Sequence, residues 1–148
     1  MNGNPSGPPE IIDVPITFRN PCTDPNFVSI IAPTLDMLTY PIGTGLTPYP
    51  AHSAFTIDYK PIEHTLCGVL QYTAMYDGNP VMPSDPASYD DATGVWSVDT
   101  DDLALTDQEK PYSVEAKLAE YMDVKETAAN TILFIDPCKV PTQFEATA

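Results

Sequence analysis

Three cysteines and a run of acidic side chains are the residues of this chain best suited to chemistry. Cys22, Cys67 and Cys138 are widely spaced. In a small domain such spacing reads as an oxidised framework, with Cys22–Cys67 the expected bridge. Cys138 is then left free or available to a neighbouring copy. The competing reading is three reduced thiols in a cytosolic protein. The acids are Asp85, Asp90, Asp91, Asp99, Asp101, Asp102, Asp107 and Glu109. Asp99, Asp101 and Asp102 alternate so that two or three carboxylates could ligate calcium, which takes several oxygens from one loop. The segment has neither the glycine nor the distal Glu of an EF-hand, and a solvated acidic face is the competing reading. His52 and His64 are the only histidines. There is no Gly-x-Ser-x-Gly turn, zinc-ligand spacing, phosphate loop or dinucleotide fingerprint around them. No catalytic residue is assigned, and an enzyme is not expected. Tyr40, Tyr49, Tyr59, Tyr72, Tyr76, Tyr89 and Trp96 could stack on sugars, which makes glycans a candidate partner. Aromatics at strand spacing more often fill cores and interfaces.

Composition limits what these residues can serve. The chain has 148 residues, enough for one domain with a real core, and 43% are hydrophobic. Acidic residues outnumber basic ones 21 to 6, for a net charge of −15. That field repels nucleic-acid phosphates and anionic membranes, so neither is an expected partner. No segment is apolar for long enough to span a bilayer, and the first ten residues do not read as a signal peptide. The 17 prolines are spread along the whole chain. Proline is kept out of central strands and favoured in turns and edges, so this distribution predicts an all-β domain with ordered loops.

The elements follow from period-two patterns and turn signals. Ile12, Val14, Ile16 and Phe18 alternate with Asp13, Pro15, Thr17 and Arg19, the cleanest such run, and predict a strand with one buried face. Further strands are expected at 27–32, 54–59, 66–76, 93–99, 112–118 and 131–135. The run at 66–76 reads as central, and the apolar 131–135 as central or covered. Residues 33–53 and 80–92 read as irregular connections. Asp77-Gly-Asn-Pro80 is a turn signal. Residues 113–126 also fit a helical stripe through Val114, Leu118, Tyr121 and Met122. About seven strands at this spacing predict an immunoglobulin-like β-sandwich. The expected organisation is an extended arm at 1–19, a sandwich at 20–138 and a tail at 139–148.

The two ends of the chain nearly repeat. Ile16-Thr-Phe-Arg-Asn-Pro-Cys22 matches Ile132-Leu-Phe-Ile-Asp-Pro-Cys138, and Pro25 and Pro141 continue the match. A unit that ends as it begins is suited to follow another copy of itself. The arm, which precedes the motif opening the domain, is then one strand too many for its own domain. Ile12, Val14, Ile16 and Phe18 are the expected contacts with a neighbouring subunit, made by donating that strand.

Asp91-Ala-Thr-Gly-Val-Trp-Ser-Val, Leu103-Ala-Leu, Asp107-Gln-Glu109 and Tyr112-Ser-Val-Glu-Ala resemble the later half of a cadherin-like repeat. The resemblance covers about a third of the chain. It implies an extracellular β-sandwich of adhesive or structural proteins. The calcium-binding Asp-Arg-Glu and Asp-x-Asn-Asp patterns of that family are not intact, since Asp107-Gln-Glu109 departs at its middle position. The Asp-Pro-Cys ending is similar to tandem extracellular repeats of microbial eukaryotes, which implies a surface or matrix role. The leading expectation is an extracellular or cell-surface subunit that assembles head to tail with itself into a fibre or array. The alternative is one repeat of a cadherin-like adhesin, or a carbohydrate-binding surface module.

Overall fold

A computed structural model describes residues 3, 7–60 and 67–139. His64 and Glu63 lie outside the described residues, as does Pro141. The fold is all-β, with ten strands and two single-turn 3-10 helices among the described residues. The strands are β1 (Val28–Ile31), β2 (Leu38–Pro41), β3 (Thr47–Pro48), β4 (Thr56–Tyr59), β5 (Leu70–Tyr76), β6 (Asn79–Pro80), β7 (Ala87–Asp90), β8 (Val95–Val98), β9 (Glu109–Leu118) and β10 (Lys125–Ile135). One sheet has the order β2-β10-β9-β5-β6. The pair β1-β4 and the sheet β3-β8-β7 complete the fold. All pairings are antiparallel except β2 with β10, which run parallel with Leu38 opposite Ile132.

Period-two patterning decides the long strands. In β9, Tyr112, Val114, Ala116 and Leu118 are buried, while Ser113, Glu115 and Lys117 are not. The helical alternative at 113–126 is therefore replaced by a strand, a turn and a second strand. A strand puts every second residue on the core side, which matches Tyr112, Val114, Ala116 and Leu118; a helix would have turned Tyr112 and Ala116 off the stripe. The run at 66–76 is not central, because only β6 lies beyond β5. The connection at 33–53 contains β2 and β3, and the one at 80–92 contains β7. Both segments are rich in Pro or Gly and their strands run two to four residues, too brief to show a periodicity. Asp77 and Gly78 take positive φ, 49° and 81°, and close the β5–β6 hairpin as its turn signal predicted.

The sheets share one core. Trp96 on β8 packs edge-on against Tyr112 on β9 at 4.9 Å between ring centroids, and against Tyr89 on β7 at 5.0 Å. Tyr40 on β2 meets Phe134 on β10 at 6.0 Å. The link between β1 and β2 carries the chain from one sheet to the other. Its carbonyls are held from β9 and β10: the Tyr112 hydroxyl donates to Asp36 O, and Asn130 Nδ2 donates to Leu35 O at 2.7 Å.

Trp96 is buried, at 3% exposure, so it is a core residue and not a ligand platform. Trp96→Ala should cost about 3–5 kcal/mol, read as a lower urea midpoint at unchanged slope. The tyrosines give a second expectation. Burial first, then nearby aspartates, raises Tyr76 and Tyr112 from 10.0 to about 12. Burial raises Tyr89 to about 12, with Tyr72 and then Asp91 and Asp90 adding to it. A folded-state value above the unfolded one favours the folded protein fully below pH 10 and progressively less from pH 10 up through 12. Stability should thus fall across that window, with tyrosinate absorbance appearing together with unfolding. Ionisation of all eight tyrosines near pH 10 in a still-folded chain would contradict the burial of these hydroxyls.

Candidate functional site

The arm is the most unusual surface of the molecule. Residues 11–19 form no strand, and every one of them is exposed. Ile12, Val14, Ile16 and Phe18 are 75%, 71%, 74% and 93% exposed. The expected strand does not form: among the described residues, no strand pairs with this segment. An isolated extended segment has no ladder partner and gains nothing by pairing with water. Its base is anchored nonetheless. Asn20 caps the 3-10 turn Pro21–Thr23 by accepting the Cys22 N–H at 3.0 Å. Arg19 lies 3.9 Å from Asp24. The Asp24 carboxylate is held below its usual range by the backbone N–H of Asn26, then by that residue's side chain, with Arg19 contributing less.

Cys22 and Cys67 are bonded, with Cα atoms 5.2 Å apart across 45 residues. The bridge does not join two strands. Cys67 precedes β5, and Cys22 sits in the turn at the foot of the arm. The bond therefore fixes the arm's point of departure at the end of the molecule where β5 begins and β9 finishes, since Leu70 pairs with Leu118. Cys138 is free and exposed.

The second copy of the motif lies at the opposite end, where β10 finishes. There Asp136 Oδ1 accepts the Cys138 N–H at 2.8 Å and Asp136 O accepts the Lys139 N–H at 3.0 Å. The first copy makes the same two contacts, the second being Thr23 N–H to Asn20 O at 3.4 Å. The sequence repeat is therefore a conformational repeat. The strand leading into the second copy is buried, with Ile132 and Phe134 at 0% exposure.

Among the described residues, two sheet edges near the arm's base have no partner strand. β1 pairs only with β4, and β10 has no strand on its β2 side before Ile132. Between them runs a groove of about 530 Å³ lined by Val28 and Ile30 on one side and Tyr121, Met122 and Val124 on the other. Glu120, Asp123 and Glu126 rim it.

The acids and aromatics are dispersed. Asp102 caps the 3-10 turn Leu103–Leu105 through the Ala104 N–H, and Asp99 lies just beyond β8. Asp101 lies beside Gly43, on another connection. Among the described residues, no three carboxylate, histidine or cysteine side chains converge where they could hold a metal. Asp90 accepts from Thr93 and Ala92, and those bonds keep it below the usual carboxylate range. Tyr40, Tyr76 and Trp96 belong to the core. Tyr72, Tyr89, His52 and Phe55 line a smaller cleft of about 200 Å³, in which His52 Nε2 lies 2.9 Å from the Tyr89 hydroxyl. Sequence reasoning missed this cleft because its residues come from three separate segments.

No protein-family model matches the chain, and no curated protein matches it. No helix among the described residues is long and apolar enough to cross a membrane.

Replacing Cys22 and Cys67 together by Ala should destabilise the domain by about 2–4 kcal/mol, the range for a loop of this size. Urea unfolding of the double variant measures it. An unchanged midpoint would show that the bridge does not constrain the unfolded chain.

Proposed function

We propose that this protein is a structural subunit of an extracellular fibre or surface array, joined head to tail to further copies of itself through its N-terminal arm. One observation carries the reading: an apolar strand pattern at Ile12, Val14, Ile16 and Phe18 stands almost fully exposed on a domain whose other strands of that pattern are buried. A free surface of four large apolar side chains in register is costly to a soluble protein and is covered when a neighbour supplies a sheet. Burying them offers about 1.5–3 kcal/mol each before the arm's lost freedom is counted. The disulfide supports an oxidising, extracellular setting. The strand order, with β2 parallel to β10 and the remaining pairs antiparallel, supports an immunoglobulin-like sandwich with a cadherin-like later half.

A covalent variant of the same architecture, one repeat within a longer adhesin, is favoured by the equivalent turns at Asn20–Cys22 and Asp136–Cys138 at opposite ends of the domain. Both variants place copies in line.

Removing residues 1–19 tests the assembly reading. The full chain should form oligomers or filaments in sedimentation and electron microscopy, and the shortened chain should sediment as a folded monomer. Assembly of the shortened chain to the same extent as the full one would overturn the reading.

A further inference from the structure

Residues 10–20 align with residues 126–136 without a gap, at a constant offset of 116 that takes Ile16 to Ile132 and Cys22 to Cys138. The structure gives this alignment a physical content. The residues of β10 that face the core are Ala128, Ile132 and Phe134, all buried, and Asn130, half-buried against Leu35 O. Their counterparts are Ile12, Ile16, Phe18 and Val14, the four apolar residues of the arm. The arm's polar Asp13, Thr17 and Arg19 correspond to Ala129, Leu133 and Ile135, on the other face of β10.

Pro15 is an independent check on the register, because it corresponds to Thr131. Phe134 N–H donates to Gln108 O and Phe134 O accepts the Asp107 N–H, so even-numbered residues of β10 turn their backbone groups toward β9 and odd-numbered ones away. The Thr131 N–H accordingly donates to a side chain, Asn130 Oδ1 at 2.8 Å, and pairing with β2 begins only at Ile132. A proline at this position gives up no ladder bond. A proline one residue to either side would break the ladder to β9.

We propose that the arm is the closing strand of a second copy of this unit, filling there the place that β10 fills here, between the equivalents of β9 and β2. The acceptor is a copy whose own closing strand is absent from that place. This rests on the reading of the arm as a strand shared between units, and it names the partner and the register. The open groove beside β1 is the poorer acceptor. Its rim, three acids and Lys125, meets one basic residue of the arm, Arg19. In the β10 place a strand is paired with β9 along most of its length, with β2 as well over its last four residues, and is covered on its apolar face.

The experiment grafts the sequence of residues 10–20 onto positions 126–136 of the full chain. The graft should fold cooperatively, keep the Cys22–Cys67 bridge and melt within roughly 10 °C of the natural chain. A graft displaced by one residue, carrying 9–19, puts Asp13, Pro15 and Thr17 on the core face and should not fold. A shorter graft of 14–20 onto 130–136 retains Thr127, Ala128 and Ala129; folding of this one alone still supports the proposal and confines the misfit to Ile11, Ile12 and Asp13, of which Ile12 would stand beside Val114. Thr131→Pro should be tolerated where Ile132→Pro is not. Failure of both in-register grafts, or equal stability of the displaced one, overturns the proposal. Because these chains retain the arm, that result leaves the truncation test of assembly unaffected, and the two readings fail separately.

Discussion

The fold depends on the seating of β10. This strand pairs with β9 from Lys125 to Leu133 and then, on its other edge, with β2 from Ile132 to Ile135. Over its last four residues it is a central strand with both edges bonded. Ile132 and Phe134 put their side chains into the core there, beside Tyr40. The parallel partner β2 has little else to hold it in the sheet. It is four residues long and pairs with β10 alone. Its position is completed by the Ile42 N–H donating to Ile135 O and by the bonds from Tyr112 and Asn130 to the preceding link. Without β10, β2 has no ladder and the crossing between the sheets loses one of its two anchors.

A strand with so much of the fold depending on it is also one that another chain could imitate, and the arm does so. The imitation is confined to what a closing strand needs: apolar residues on one face, a polar opposite face, and a proline where no ladder bond is lost. What the arm lacks is a sheet. Its own domain has filled the corresponding place, so the apolar face remains in water. The open part of β10 is managed differently. There the N–H groups of Thr127 and Thr131 donate to the neighbouring side chains of Glu126 and Asn130, which blunts an edge that would otherwise template pairing.

Charge sets the conditions for contact between copies. A net charge of −15 repels like units, and salt confines that repulsion to about a Debye length, roughly 8 Å at physiological ionic strength. Strand pairing and apolar burial act only at contact. Specific seating of an arm is compatible with that repulsion, whereas loose association of acidic surfaces is not. The carboxylates are consistent with this division. Asp85, Asp90 and Asp102 each cap a turn, and Asp77 and Asp107 pair with Lys110 and Lys139.

The amino-acid sequence by itself determined the all-β class, the long alternating strand at 112–118, the Asp77-Gly78 turn, the buried Trp96 and the pairing of Cys22 with Cys67. Each of these is written in local pattern or in residue type: a period of two, a residue pair that tolerates positive φ, a large apolar ring between valines, two cysteines that precede the last one. The exposed arm was legible as a strand pattern but not as a strand. Alternation specifies which face wants burial and says nothing about whether a partner sheet is present. Only the tertiary structure decided that β5 lies near an edge, that β2 and β7 form inside Pro- and Gly-rich connections, and that the acids do not converge. Those outcomes depend on which strands become neighbours, and a four-residue strand such as β2 has too little pattern to choose its neighbour before β10 supplies the edge. The same holds for the motif at the two ends. Its repetition was visible in the residues, but the shared turn, and the fact that one copy follows a buried strand and the other an exposed one, arise from long-range pairing that no local pattern encodes.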